Sequence, residues 1–400
     1  VNFSVTTVEP EPLIPAGYEI AYDQFQLPIQ AEKRIYKANG PALTTATSGD
    51  ELTVSSSKVN FVFNKKSGLV TSYKVDGTEY FKDGFGIQPN FWRAPNDNDY
   101  GNGAPKRLQV WKQSSKNFHV TDVKMTTENK VVSLKATYLL AAGNLYVVTY
   151  RIYPSGIVNV SAQFTSTDMQ AAETEVSEAT RMATFTPGSD AARKAASKLE
   201  VPRIGVRFRL PAQMNNVQYF GRGPEENYID RNHGTLVGVY KTTADKMYFN
   251  YVRPQENGHH TDTRWIALSP DKGNGLAIVA DSLIGFNALR NSIEDFDSEE
   301  ALPHPYQWNN FSPEEVANHD EKAARNVLRR MHHVNDITPR DFVEVCVDMK
   351  QQGVGGYDSW GARPEPFHQI PANRDYSWGF TLVPVRSASQ ANEVAKYDYQ

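Results

Sequence analysis

A long succession of short strand patterns separated by turn residues constrains the fold of this chain more than any other feature. In Phe342–Met349, for example, successive side chains alternate between two faces. Turn signals such as Lys65–Gly68 and Pro154–Gly156 lie between strands, and strands do not alternate with helices. This pattern predicts an all-β fold built as a large antiparallel sandwich. The predicted strands from residue 51 onward are Leu52–Ser56, Val59–Asn64, Leu69–Val75, Phe118–Thr126, Val131–Leu140, Leu145–Tyr153, Ile157–Thr165, Ile204–Leu210, Val217–Gly221, Trp265–Ser269, Leu276–Asp281, Phe286–Arg290, Val327–Val334, Phe342–Met349 and Trp378–Pro384.

The chain divides into four predicted regions. Residues 1–36 begin with two strands, Asn2–Val8 and Tyr18–Leu27, which cannot form a stable unit alone and indicate the end of a β-sandwich that starts upstream. Polar residues 37–50 form a linker, residues 51–386 form the large sandwich, and residues 387–400 form a flexible tail. Ser189–Leu199 is expected to be a short helix or an ordered insert, and a short helix is expected from Ser312, which begins a capping box, to about Asn318.

Composition excludes several classes of partner. The 400 residues carry a net charge of -4 with acids and bases mixed along the chain, so no nucleic-acid surface is expected. No apolar run is long enough to cross a membrane. The single cysteine, Cys346, lies in a strand pattern and is expected to be a buried structural thiol. Val1 is not a start residue, so we expect the sequence to begin inside a longer protein. Val1–Leu13 lacks the pattern of a signal peptide, and the compartment stays open.

The glycine-rich stretch Gly353–Gly361 is the first candidate for function. It follows a strand and brings Trp360 out on a loop whose glycines permit unusual backbone angles and close approach of other groups. Sugars stack on such rings because their C–H faces are apolar. The alternative is that Trp360 packs into the core, as most tryptophans do.

Three further loops concentrate polar residues. Asn90–Gly103 is dense in Asn, Asp and Gly and is either an ordinary polar loop or a mobile loop that lines a site. In Gly221–Arg231 the acids are expected to pair with arginines as structural salt bridges. Tyr251–Arg264 holds Glu256 with His259 and His260, which could transfer protons on a sugar or have a purely structural role. Adjacent histidines on a strand point to opposite faces, so no metal site is predicted.

Four motifs in this order resemble the C-terminal region of β-galactosidases of glycoside hydrolase family two. They are Arg93–Gly101 (RAPNDNDYG), Gly221–Arg231 (GRGPEENYIDR), Tyr251–Gly258 (YVRPQENG) and Gly353–Trp360 (GVGGYDSW). The resemblance extends from about Leu52 to Val385, and Val1–Leu27 resembles the last strands of the immunoglobulin-like domain that precedes this region in the family.

The resemblance implies a galactose-mutarotase-like supersandwich that leans over the mouth of a TIM barrel. The catalytic glutamates and the magnesium and sodium ligands belong to that barrel, which is not in this sequence, so the chain itself is expected to bind no cofactor. Tyr357 departs from the family pattern, which commonly has Asp or Asn at this position. The substrate-binding residues that the resemblance implies are Trp360 as the aromatic platform, Asp358 beside it, and Asp99, Gly101 and Asn102 in the mobile loop, with Glu256 and His259 as further candidates.

The sequence therefore predicts the C-terminal part of a retaining β-galactosidase-like hydrolase, inactive by itself. Its expected partners are a β-galactoside or galactose and the remaining domains of the same polypeptide, and a homo-oligomer of the full-length enzyme stays open. Two other functions also stay open. One is a free-standing sugar epimerase or mutarotase that uses Glu256 with His259 or His260, and the other is a non-catalytic carbohydrate-binding module.

Overall fold

The computed structural model describes residues 1–29, 32–166, 200–297, 333–358 and 361–399. In these residues strands dominate, and every pairing within the two larger sheets is antiparallel. The predicted antiparallel all-β fold is confirmed. The strands are β1 (Asn2–Thr6), β2 (Glu19–Gln24), β3 (Arg34–Ile35), β4 (Thr44–Ser48), β5 (Glu51–Ser55), β6 (Val59–Asn64), β7 (Leu69–Val75), β8 (Thr78–Glu79), β9 (Gln88–Asn90), β10 (His119–Glu128), β11 (Val131–Leu139), β12 (Leu145–Ile152), β13 (Val158–Thr165), β14 (Arg203–Pro211), β15 (Asn216–Gly223), β16 (Leu236–Thr243), β17 (His260–Ser269), β18 (Gly275–Leu289), β19 (Phe342–Gln351), β20 (Tyr376–Val385) and β21 (Tyr397–Asp398).

Helices in the described residues are short and connect strands. The helices predicted at Ser189–Leu199 and from Ser312 lie outside the described residues, as does most of the strand predicted at Val327–Val334, whose last residue begins a 3-10 turn. The α-helices are α1 (Asp97–Gly101), α2 (Ala104–Arg107), α3 (Gln109–Lys116), α4 (Ala244–Met247), α5 (Ile293–Phe296) and α6 (Ala391–Val394), and the 3-10 turns are Lys82–Gly84, Val334–Asp336, Pro366–His368 and Ala388–Gln390.

The large sheet branches at β18. One edge of this strand pairs with β17, followed by β15 and β16. On the other edge, Gly275–Ala280 pairs with β20, whereas Gly285–Leu289 pairs with β19. Two branches therefore leave β18, one through β20, β13, β12 and β11 to β10, and the other through β19 and β14 to β9.

A second sheet, β4 to β8, packs against the first branch and forms the aromatic core. Alternate residues of β6 and β12 are buried, as their sequence patterns predict. The rings of Phe61 and Phe63 lie 5.7 and 6.1 Å from that of Tyr150. The hydroxyl of Tyr73 donates to the carbonyl of Gly156 at 2.6 Å, which satisfies a buried polar group at the contact. Burial of each such ring stabilises the fold by roughly 1.5–3 kcal/mol.

Strand register brings several strand ends to one edge of the second branch. His260 at the start of β17 is opposite Phe286 of β18, which is opposite Val347 of β19. Val347 is in turn opposite Val206 of β14, and Val206 is opposite Pro89 of β9. Because these neighbours are antiparallel, the ends of β9, β15 and β19 lie beside the starts of β14 and β17. The loops that leave this edge are those that carry the four sequence motifs.

The structure differs from the predicted linker and tail. Strand β4 lies within the expected linker 37–50 and pairs with β5 of the second sheet. The expected flexible tail contains α6 and β21, and Tyr399 is buried with its carbonyl bound by the Tyr153 hydroxyl at 2.6 Å. Strands β1 and β2 form a separate two-stranded sheet, and their membership of an upstream domain stays a prediction.

Candidate functional site

Four segments meet at the edge of the sheet where the strand ends gather. They are named here the Asn96 turn (Asn96–Asn102), the Asp230 turn (Asn227–Arg231), the Arg253 segment (Arg253–Asn257) and the glycine loop (Gly353–Asp358). Hydrogen bonds and ion pairs join them, although more than 120 residues separate the Asp230 turn from the glycine loop. Their contacts define the candidate site.

The Asn96 turn contains a short capped helix, α1, where the sequence predicts a polar loop. The side chain of Asn96 accepts from the amide of Asp99 at 2.8 Å, and Asp99 accepts from the amide of Asn96 at 3.1 Å. This reciprocal pair is a capping box and begins α1. Asp99 is buried, and both of its oxygens also accept from Arg93 at 3.0 and 3.1 Å. Asp99 therefore holds the turn in place from its buried side.

The glycine loop lies directly against the Asn96 turn. Arg93 donates to the carbonyl of Gln352 at 2.9 Å, and the side-chain amide of Asn96 donates to the carbonyl of Val354 at 3.1 Å. At the far end, Gly361 has a φ of +98°, and a Cβ there would collide with the backbone of Gly101. Only glycine fits this approach.

The side chain of Asn98 completes the contact between these segments. In the amide orientation that satisfies both groups, it accepts from the amide of Gly356 at 2.9 Å and donates to the carbonyl of Asp358 at 3.2 Å. The carboxylate of Asp358 accepts from the amide of Ala362 at 3.0 Å. Asn98 thereby links Gly356 and Asp358 of the glycine loop to the Asn96 turn, and Asp358 also binds the chain that follows the loop.

The Arg253 segment covers another face of α1. The guanidinium of Arg253 lies 3.9 Å from the centre of the Tyr100 ring, a cation–π contact, and 3.7 Å from Asp97. Gln255 donates to Asp97 at 3.5 Å. Burial raises the pKa of Tyr100 to about 12, with Arg253 acting in the opposite direction, so its hydroxyl stays protonated at neutral pH.

A buried charge cluster lies beneath these segments. Arg203, at 0% exposure, donates to Glu256 at 2.8 Å, and its Nε lies 3.2 Å from Asp348, which is also fully buried. The same guanidinium donates to the carbonyl of Trp92 at 3.3 Å and to the side chain of Gln351. Arg203 therefore contacts the bases of the loops that follow β9 and β19 and of the Arg253 segment.

Burial sets the protonation of this cluster. It raises the pKa of Asp348 to about 7, with Arg203 opposing the shift and Glu256 adding to it. Burial also raises the pKa of Glu256, whereas the charge of Arg203 lowers it. Burial and then Arg203 hold the pKa of His259 well below its usual value, so the imidazole is neutral. Two carboxyl groups thus share one guanidinium, and Asp348 carries a proton in part of the molecules at neutral pH.

The structure distributes the predicted site residues over two levels. Asp358 and Gly101 are exposed, and Asn102 is half-buried with its side chain accepting from the amide of Ala104 at 3.1 Å. Trp360 lies outside the described residues. Asp99, Glu256 and His259 lie below the surface with exposures of 4%, 5% and 1%.

The two adjacent histidines have different neighbours. His259 stacks on the ring of Tyr228 at 5.5 Å, and its Nδ1 lies 3.8 Å from Asp348. The ring nitrogens of His260 lie 3.0 and 3.2 Å from the carbonyls of Gly258 and Pro224. Both rings are therefore enclosed by protein.

Sequence reasoning misses Arg203, Asp348 and the role of Asp230. Arg231 pairs with Glu226 at 2.6 Å as expected, but Arg222 pairs with Asp262 at 2.5 Å instead of with an acid of its own motif. The available signal for Asp348 and Arg203 is a charge inside or beside an apolar strand, which favours a paired buried ion.

Within the described ranges, no group of three or more His, Cys, Asp or Glu side chains is arranged to hold a metal ion. The expectation that metal ligands lie outside this chain stays a prediction. Among the same residues no helix is both long and apolar enough to cross a membrane.

Comparison with known proteins finds similarity over most of the chain. The model of the family described as "Beta galactosidase small chain" matches residues 55–382. A β-galactosidase of Priestia megaterium is 33% identical over 373 residues, which cover 92% of this chain and 30% of the relative. One of Streptococcus thermophilus is 25% identical, covering 93% and 30%. The chain thus spans about 30% of the length of these relatives.

Similar solved structures include two proteins of Lactobacillus acidophilus. A galactose 1-epimerase has a TM-score of 0.40 at 7% identity and covers 86% of this chain and 97% of its own. A galactose mutarotase related enzyme has a TM-score of 0.39 at 9% identity and covers 84% and 98%.

Proposed function

The chain belongs to the beta-galactosidase small-chain family, as its motifs predict, and we propose that it completes the sugar-binding site of a larger β-galactosidase. In this proposal another part of the same polypeptide supplies a TIM barrel with two catalytic carboxyl groups and the magnesium and sodium sites. A retaining glycosidase holds its two carboxyl groups about 5–5.5 Å apart on either side of the scissile bond. This chain supplies the wall that binds and orients the sugar.

One observation carries the proposal: four segments distant in sequence are locked together at one edge of the sheet. The loop that follows β9 binds Val354 and Asp358 of the glycine loop and also Gln352, which precedes it. Such convergence is typical of a site in which loops are positioned by a rigid sheet. Tyr357 at 71% exposure lies at the open side of this assembly.

Each predicted residue that the structure describes then has a role that fits its position. Trp360 is assigned the contact with the apolar face of the sugar, and Asp358 and Asn102 are assigned polar contacts with its hydroxyl groups. The backbone of Gly101 contacts Gly361, where an added Cβ would collide with it. Asp99 acts through the turn that it caps, because its carboxylate is buried on Arg93.

Glu256 and His259 are assigned a supporting role. Both are buried beside Arg203 and Asp348, so they hold the Arg253 segment in place without contacting the sugar. The mutarotase alternative needs a histidine and a carboxylate open to a sugar, which the enclosed rings of His259 and His260 do not favour.

Activity of the separated parts tests the proposal. The full-length polypeptide, the polypeptide without residues 1–400, and residues 1–400 alone would each be assayed with an aryl β-galactoside. We expect turnover by the full-length polypeptide only. Robust turnover by residues 1–400 alone would contradict the proposal. Faster optical rotation change of a fresh galactose anomer would favour the mutarotase function, and calorimetric binding of galactose without any effect on turnover would favour a binding module.

A further inference from the structure

The carboxylate of Asp230 binds the backbone of the glycine loop. One oxygen accepts from the amide of Val354 at 3.0 Å, and the other accepts from the amide of Gly355 at 2.8 Å. Hydrogen bonds to an ionised acceptor are shorter and stronger than those between neutral groups. Two consecutive amides on one carboxylate fix both the position and the direction of the chain that carries them.

The glycine loop is shaped for this carboxylate. A Cβ at position 353 would collide with the carboxylate of Asp230. A side chain at this position would displace the carboxylate, so glycine permits its close approach to the backbone. The strand β19 ends at Gln351, so the contact lies where the chain leaves the sheet.

The Asp230 turn is itself rigid. Tyr228 and Arg231 exchange backbone hydrogen bonds of 3.2 and 2.7 Å, and the Arg231 guanidinium lies 5.1 Å from the centre of the Tyr228 ring. Tyr228 is buried against His259, and the side chain of Asn227 accepts from the amide of Thr261 at 2.9 Å. The Asp230 turn is thus held against the start of β17, and from this fixed turn the carboxylate of Asp230 binds the glycine loop.

Nearby cations are occupied elsewhere. Arg231 binds Glu226 at 2.6 Å, and Arg93 binds Asp99 and the carbonyl of Gln352. In the described structure the hydrogen bonds of the Asp230 carboxylate go to the two loop amides. Its charge therefore serves the loop rather than a salt bridge.

We propose that Asp230 is a positioning residue for sugar binding, which holds the backbone of the glycine loop in the position and direction that the site requires. This inference rests on the proposed function, because the loop leads within two residues to Trp360. Asp230 acts through the backbone of Val354 and Gly355 and does not contact the sugar. Its loss should weaken binding of the galactoside more than it slows the chemical step.

Amide hydrogen exchange tests the positioning independently of activity. The full-length polypeptide would be compared with Asp230→Asn and with the control Asp271→Asn, whose exposed carboxylate accepts from Asn216 at the other end of β15. We expect Asp230→Asn to speed exchange in peptides covering Gly353–Asp358 about tenfold, and Asp271→Asn to leave them unchanged. Unchanged exchange in Asp230→Asn would overturn the inference.

A double-mutant cycle tests the link to the sugar. KM and kcat for an aryl β-galactoside would be measured for Asp230→Asn, Trp360→Ala and the double variant. We expect Asp230→Asn alone to raise KM about tenfold with little change in kcat, and to have a much smaller effect in the Trp360→Ala background. Equal effects in both backgrounds would overturn the inference. If Trp360→Ala changes neither constant, the proposed function fails, whatever the exchange data show about Asp230.

Discussion

The guanidinium of Arg93 binds both carboxylate oxygens of Asp99 and, through its other terminal nitrogen, the carbonyl of Gln352. One buried cation thus joins the Asn96 turn to the root of the glycine loop. The two segments are more than 250 residues apart in the chain, and Arg93 is 2% exposed. The geometry of the candidate site depends on this link because a buried ion pair is costly to break from one side.

Arg93→Met is expected to destabilise the chain by about 3–5 kcal/mol, because it leaves the carboxylate of Asp99 buried without its cation. Urea unfolding followed by tryptophan fluorescence would measure the loss. The matched control is Lys58→Met, which removes a partly exposed pair with Asp76 and should cost at most about 1 kcal/mol. Equal losses in the two variants would show that Arg93 has no special role.

Titration of Asp348 is expected to lower the free energy of unfolding as pH rises from about 4 to about 7. The pKa of Asp348 is about 7 in the folded chain against 3.8 for the free side chain, so between these values the folded state binds more protons than the unfolded state. The slope contributed by one group is at most about 1.4 kcal/mol per pH unit. It disappears well above pH 7, where both states are ionised.

Asp348→Asn removes this titration and should flatten the dependence of unfolding free energy on pH between 5 and 7. Arg203, Glu256 and His259 face the same carboxyl group and remain in the variant. Asp341→Asn, at an exposed carboxylate paired with Lys82, is the control and should leave the slope unchanged. If the Asp348→Asn slope equals that of the parent chain, another group dominates the pH dependence.

Gly361→Ala is expected to displace the glycine loop. The added Cβ would lie 2.6 Å from the amide nitrogen of Asn102, and the φ of +98° already disfavours a side chain. We expect a stability loss of about 1–3 kcal/mol and a raised KM in the full-length enzyme. Gly234→Ala, where no atom lies within 4 Å, is the control and should change stability by less than about 0.5 kcal/mol. Parent-like KM for Gly361→Ala would argue against a close-packed site.

Tyr357 is expected to affect substrate preference rather than stability. Its ring is 71% exposed, and its hydroxyl donates to the carbonyl of Arg363 at 3.1 Å. Tyr357→Asn should therefore change unfolding free energy by less than about 0.5 kcal/mol. It should change the ratio of kcat/KM between galactosides with small and large aglycones by severalfold, or about 1 kcal/mol. Identical ratios would remove Tyr357 from the rim of the site.

Sequence periodicity predicts strands well where one face is buried. Val59–Asn64 alternates and forms β6 with the predicted bounds, because its buried and exposed residues follow a period of two. Leu236–Thr243 forms β16 but is missed. It is the last strand of its sheet, is only partly buried, and contains Gly238, which weakens a strand signal.

The charge cluster and the fastening of the loops are beyond what local pattern can predict. Arg203 and Asp348 are both fully buried, yet they meet only because β14 and β19 pair across more than 130 residues of sequence. Asp230 likewise finds its partners 124 and 125 residues away. A motif marks such residues as unusual, whereas the identity of the partner depends on strand register.

Replacement of Trp360 in the full-length enzyme tests the central claim, that this chain completes a sugar-binding site, most directly. Steady-state kinetics on an aryl β-galactoside would compare Trp360→Ala and Trp360→Phe with the control Trp378→Phe, at a tryptophan 6% exposed on β20. We predict that Trp360→Ala raises KM about tenfold, which corresponds to a loss of roughly 1.4 kcal/mol of ring contact, and that Trp360→Phe raises KM by less. Unchanged KM and kcat in Trp360→Ala would contradict the claim.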